Sequence, residues 1–149
     1  MLRLLRRILA RKRNATSAVA KSRIAFPGDR TGMTNVEFAR HAGVPQSPRS
    51  LVVINELRHY VARAAGAPFQ TIHPDDDFRG NLANALSWPE FDAAPHPIAT
   101  IEQRLNLRLP DSRADRIVDP SSPRRKGTVG NLVRETLQLV DSIADPRRE

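Results

Sequence analysis

The sequence predicts an all-α protein, a small bundle of three to four helices that follows a basic N-terminal arm. Several stretches repeat apolar residues at the three- and four-residue spacing of a helix face, and a Ser or Thr suited to a helix N-cap precedes them. No segment shows the convincing alternation that marks a half-buried strand. We therefore divide the chain into an arm and linker (1–33), a short helix and connector (34–48) and a helical domain (49–145).

The positive charge of the chain is concentrated in its first third. Residues 1–48 hold ten Lys and Arg against two acidic residues, whereas residues 49–149 hold fourteen of each. The formal net charge of +8 therefore belongs to the arm. As a helix, residues 1–13 would set Leu and Ile opposite basic residues, a pattern that suits an interfacial helix on an anionic membrane. The residues predicted to contact a membrane or partner are Arg3, Arg6, Arg7, Arg11, Lys12 and Arg13.

Other interpretations of the arm stay open. It also fits a disordered basic extension or an Arg-rich transit-like peptide. Nucleic-acid binding is less favoured, because no aromatic residue interleaves the basic residues to stack on bases. No run of 18 apolar residues is present, so no transmembrane helix is predicted. We expect a cytoplasmic monomer, with peripheral membrane contact as the alternative location.

The first helix is signalled by a capping box, Thr34 to Glu37. It should run through Ala42, end at Gly43 and pack on the body through Phe38. The second helix should begin at a Ser50 cap and end at Gly66. Its predicted buried stripe consists of Leu51, Ile54, Leu57, Val61 and Ala64 or Ala65, with Arg58 and Arg63 lying off it.

A long loop follows the second helix. Three apolar residues, Ile72, Phe78 and Leu82, are spaced like anchors that tie a surface loop to a core. The run Asp75–Asp77 could indicate a cation site, but it has no EF-hand spacing. We interpret it as a solvated acidic loop that also caps a turn.

The remaining helices are predicted from further N-cap residues and from apolar residues at helical spacing. Ser87 to Glu90 is a second capping box, and the short helix it opens is interrupted by Pro95 and Pro97. The stretch 98–117 then predicts a short amphipathic helix, an extended exit at Pro110 and a second helical turn. Thr128 should cap a last helix through Ala144, with an inner face made of Val129, Leu132, Val133, Thr136, Leu137 and Val140.

These elements, in this order, resemble the acyl carrier protein family from about Leu51 to Val140. The loop spacing at Ile72, Phe78 and Leu82 is similar to the loop of that family. The stretch "TIEQRLNLRLPD" looks like the end of its second helix, and the residues that match position by position are Ile101, Glu102, Leu105, Leu109, Pro110 and Asp111. "ADRI" and "TVGNLV" resemble the third helix and the start of the last helix.

The resemblance implies that a serine at the start of the second helix carries phosphopantetheine, whose thiol bears an acyl group. That cofactor would give thioester chemistry to a chain without Cys. The family's Asp-Ser-Leu motif is not intact here. Counting forward from Phe78 places the modified serine at Leu86, and counting back from Pro110 places it at Phe91, so residues 83–97 carry an insertion. The nearby hydroxyl is Ser87.

Ser87 has two interpretations, a displaced cofactor site at a helix N-terminus or only the cap of that helix. The resemblance therefore implies a carrier for lipid or secondary-metabolite synthesis that meets acyl-transferring or synthase enzymes. The alternative is a carrier-like interaction module without cofactor that uses its arm on an anionic membrane or partner. No metal-ligand spacing or catalytic motif is present, so we predict neither a metal site nor an enzyme.

Overall fold

The computed structural model describes residues 30–83, 85–86, 96–110 and 127–146. In these ranges the chain forms four α-helices: α1 (Asn35–Ala42), α2 (Pro48–Ala65), α3 (Pro97–Leu105) and α4 (Val129–Ala144). A 3-10 turn, Phe69–Thr71, follows α2. The described residues contain no strand, only an isolated bridge between Asp77 and Thr128. The predicted all-α class is confirmed.

Helix α1 begins and ends where its sequence signals predict. The Thr34 hydroxyl accepts a hydrogen bond from the Glu37 N–H at 3.2 Å, and the Glu37 carboxylate accepts one from the Thr34 N–H at 2.7 Å. This reciprocal pair is the predicted capping box. Gly43 ends the helix in the left-handed region, with φ 68°.

The N-cap of helix α2 lies three residues before the predicted cap. Ser47, not Ser50, is the N-cap, and its hydroxyl accepts a hydrogen bond from the Ser50 N–H at 3.1 Å. Pro48 takes the first helical position, where its missing N–H is not needed. Ser50 is buried in the first turn, with its hydroxyl 2.9 Å from that of Ser47. The prediction of Ser50 as the cap was therefore wrong.

Helix α3 is the amphipathic helix predicted at the start of 98–117. Pro97 is its first residue, and Ile98 and Ile101 are buried. Asn106 ends it in the left-handed conformation, with φ 50°, so the helix stops before Pro110 is reached. The helix predicted to open at Ser87 and the turn predicted at 111–117 lie outside the described residues.

Helix α4 confirms its predicted cap and inner face. The Thr128 hydroxyl accepts a hydrogen bond from the Asn131 N–H at 3.2 Å. All six residues predicted for the inner face are buried, and Leu139 is buried as well. Helix α2 is the central element, because α1, α3 and α4 all pack against it. None of the helices in the described ranges is long and apolar enough to cross a membrane.

Candidate functional site

The residues predicted to carry function lie outside the described ranges. They are Ser87 and the basic residues Arg3, Arg6, Arg7, Arg11, Lys12 and Arg13. The structure does describe the chain directly before Ser87: Ala85 is buried, and the Leu86 N–H donates to the Leu82 carbonyl at 3.0 Å. The site can therefore be built from the loop that leads to Ser87.

That loop is anchored to the core at the three predicted positions. Ile72 and Leu82 are fully buried, and Phe78 is 8% exposed. All three belong to the core cluster shared by the four helices. The prediction that these residues tie the loop to the core is confirmed. The three anchors thus hold the described part of the loop, residues 72–83 and 85–86, against the core.

The acidic run inside the loop is only partly solvated, contrary to the sequence interpretation. Asp75 is exposed, but Asp76 is 1% exposed. The Asp76 carboxylate accepts hydrogen bonds from the Arg30 guanidinium at 2.6 Å, the Asn81 amide at 2.6 Å and the His73 N–H at 2.7 Å. Burial of a charge needs such partners. Asp76 is a structural acceptor inside the loop.

Asp77 caps the turn that follows, as predicted for the acidic run. One oxygen of its carboxylate accepts hydrogen bonds from the Arg79 N–H at 2.7 Å and the Gly80 N–H at 2.9 Å. The Asp77 N–H in turn donates to the Asn81 side chain at 2.8 Å. Within the described residues, no three His, Cys, Asp or Glu side chains are grouped so that they could hold a metal ion.

The loop also closes the start of α4. The Val129 N–H donates to the Asp76 carbonyl at 2.9 Å, and the Gly130 N–H donates to the Pro74 carbonyl at 2.8 Å. First-turn N–H groups of a helix have no partner within the helix, so the loop satisfies two of them. A Cβ on Gly130 would lie 3.0 Å from the Pro74 carbonyl oxygen. The close approach of loop and helix therefore favours glycine there.

Arg58 of α2 lies in the core, which corrects the prediction that it lies off the buried stripe. Its residue exposure is 0%. The guanidinium donates to the backbone carbonyls of Ile72 at 3.1 Å, Met33 at 2.8 Å and Gln70 at 3.2 Å, and to the Asn35 side chain at 2.7 Å. Arg58 thus joins α2 to the chain before α1 and to the start of the loop.

Two aromatic rings lie close to the same guanidinium. Its central carbon lies 5.0 Å from the centre of the Phe38 ring and 5.2 Å from that of Phe69, within the range of a cation–π contact. Burial lowers the pKa of Arg58 to about 10, while the negative charges of Asp76 and Glu37 act to raise it. Arg58 therefore stays charged at neutral pH.

Glu102 of α3 positions the residues that follow this helix, a stretch that resembles the end of the second helix of acyl carrier proteins. Its carboxylate accepts a hydrogen bond from the Leu109 N–H at 2.7 Å, and Leu109 is 2% exposed. The extended exit from α3 is thereby held against the core up to Pro110. Asp111, the next residue of the resemblance, lies outside the described ranges.

Sequence reasoning missed the parts played by Arg58, Asp76 and Arg30. For Arg58 a signal was present, because it lies four residues after Ile54 and four before Ala62, both of them buried. For the other two, no local pattern pairs a residue before α1 with one in the loop. Comparisons with protein-family models, with curated proteins and with solved structures each give no match. The resemblance to acyl carrier proteins therefore remains a prediction.

Proposed function

We propose that this protein is an acyl-carrier-like protein that holds an acyl or related group on phosphopantetheine attached to Ser87. The observation that carries the proposal is the loop before Ser87. Its three anchors, whose spacing is similar to that of the family's loop, are buried in the core, and the Leu86 N–H donates to the Leu82 carbonyl. A carrier protein can hold its attachment site in one place, because the long, flexible cofactor rather than the protein carries the acyl group to each enzyme.

The chain itself would contribute one reactive group, the hydroxyl of Ser87. The Ser87 hydroxyl would attack the pyrophosphate of coenzyme A, lose its proton and displace adenosine 3′,5′-bisphosphate, which leaves phosphopantetheine on Ser87 as a phosphodiester. The cofactor would supply the thiol that this Cys-free sequence lacks. The chain itself presents the attachment point to enzymes that load and unload the group. A helix N-terminus at Ser87, as its capping box predicts, would favour the added phosphate through free N–H groups.

The first prediction concerns modification. We expect full-length protein incubated with coenzyme A and a broad-specificity phosphopantetheinyl transferase to gain the mass of one phosphopantetheine group. Ser87→Ala should abolish the gain, because the hydroxyl is the acceptor. The matched control is Ser142→Ala, which removes an exposed hydroxyl on α4 and should leave the gain intact. Intact-protein mass spectrometry measures all three proteins, and far-UV circular dichroism checks that each is folded.

Two results would contradict the assignment. If the mass of the wild-type protein does not change, the carrier function is ruled out. A mass gain that survives Ser87→Ala would place the cofactor on another residue.

The second candidate is an interaction module without cofactor that binds an anionic membrane or partner through its arm. It is favoured by one observation, the confinement of the net positive charge to residues 1–48. Basic residues within a Debye length of an anionic surface are each attracted by about 1 kcal/mol. This function needs no modification at Ser87, so the mass experiment separates the two candidates.

A further inference from the structure

Residues 30–34, which we call the strap, run beside the loop segment 70–76 before α1 begins. The Met33 N–H donates to the Gln70 carbonyl at 2.9 Å, and the His73 Nε2 lies 3.0 Å from the Thr31 carbonyl oxygen. Arg58 bridges the two segments, because one of its nitrogens donates to both the Met33 and Gln70 carbonyls. The strap is thus a hydrogen-bonded partner of the loop, although the sequence assigned most of it to a linker.

The end of the strap is fixed by an ion pair with a buried partner. The Arg30 guanidinium lies 2.6 Å from the Asp76 carboxylate, and the two side chains are 22% and 2% exposed. A buried carboxylate that loses a cationic partner is left poorly compensated. The Arg30–Asp76 pair should therefore contribute more to holding the strap than an exposed ion pair would.

The strap itself buries little apolar surface. Residues 31, 32 and 34 are exposed, and only Met33 packs against the core, as a partly buried residue. Segments with few buried apolar contacts open at a lower free energy than the core around them. Residues 30–33 of the strap should therefore open more readily than the helices, while Thr34 stays in place as the N-cap of α1.

We propose that the strap is a latch on the loop: it opens locally, and its closure through Arg30 and Asp76 holds the loop that leads to Ser87. The strap directly follows the basic arm along the chain, whereas α1 and α2 separate it in sequence from the loop on which it packs. If Ser87 is the attachment site, a point that rests on the proposed function, the latch restrains the loop that precedes that site along the chain.

The test is hydrogen exchange on the full-length, unmodified protein, so it does not depend on the carrier function. Arg30→Gln should raise the exchange rates of the Met33, His73 and Asp76 N–H groups by about tenfold. Exchange in the middle of α2 and α4 should stay unchanged. Arg49→Gln is the matched control, since it breaks an exposed ion pair with Asp141 and should leave the loop unaffected.

Asp76→Asn and the double variant that combines it with Arg30→Gln complete a double-mutant cycle. If the two side chains act as one latch, the double variant should exchange no faster than the faster single variant. Unchanged loop exchange in Arg30→Gln would overturn the proposal. So would an equal rise in the loop, α2 and α4, because that result means global destabilisation. Should Asp76→Asn fail to fold, Arg30→Gln and its control decide the question.

Discussion

At the scale of single residues, Arg58 shows how a charge is accommodated in an aliphatic core. Its partners are three carbonyls and an amide oxygen, and two aromatic rings lie within cation–π distance. Among the described residues, no buried side-chain nitrogen or oxygen lacks a hydrogen-bond partner. The helical period placed position 58 among buried residues, but the acceptors come from segments distant in sequence. For that reason the sequence alone did not identify Arg58 as a core residue.

Replacing Arg58 should destabilise the protein strongly. We expect Arg58→Met to lower the free energy of unfolding by about 2–4 kcal/mol, because four acceptors lose their donor while the apolar bulk is kept. Urea unfolding followed by circular dichroism measures the change. Arg63→Met, at an exposed position of the same helix, should change it by less than about 0.5 kcal/mol. Equal effects of the two substitutions would show that the Arg58 network does not stabilise the fold.

At the scale of elements, the N-cap of a helix was predictable where the sequence offered a single capping residue. Thr34 and Thr128 cap α1 and α4 as predicted. At α2 two serines three residues apart, Ser47 and Ser50, could each be the N-cap. Pro48 suits the first helical position, and this favours Ser47 as the cap. At α3 the left-handed Asn106 ends the helix before Pro110 does. Local chemistry thus predicted the existence of each described helix better than its ends.

The capping box of α1 should make that helix sensitive to acid. Hydrogen bonds from the Thr34 N–H and then its hydroxyl lower the pKa of Glu37 from 4.5. A carboxyl whose pKa is lowered by folding stabilises the folded state above 4.5, and the effect is lost as the pH falls through the folded pKa. An NMR titration of the Glu37 carboxyl should therefore give a value below 4.5.

Variants of the cap make this prediction specific. Thr34→Ala removes the hydroxyl and should move the pKa of Glu37 back toward 4.5, whereas Thr34→Ser keeps both donors and should leave it lowered. A value of 4.5 or higher in the wild-type protein would mean that the capping box is not formed in solution.

At the scale of the whole molecule, the fold was largely predictable and the candidate site was not. The anchors Ile72, Phe78 and Leu82 and the inner face of α4 follow from periodicity and spacing. The latch and the buried Asp76 depend on contacts between distant segments, which no local pattern encodes. The assignments to Ser87 and to the arm rest on residues outside the described ranges and stay predictions.

The arm should give the molecule a salt-dependent affinity for anionic membranes. We expect full-length protein to sediment with phosphatidylserine-containing liposomes at low salt and to be released as ionic strength rises, because salt screens the attraction. Deletion of residues 1–13 should abolish sedimentation, and uncharged phosphatidylcholine liposomes provide the control. A truncated protein that sediments as well as the full-length protein would exclude the arm as the membrane contact.

The way in which the loop closes α4 has a consequence for the order of folding. Two first-turn N–H groups of α4 find their acceptors on Asp76 and Pro74, residues that precede it by much of the domain. The C-terminus of α1 likewise contacts α4, since Arg134 donates to the Ala42 carbonyl at 2.6 Å. Closing such distant contacts carries a loop-entropy cost before any contact is gained. The first turn of α4 should therefore form late, after the chain on both sides of the loop has collapsed onto α2.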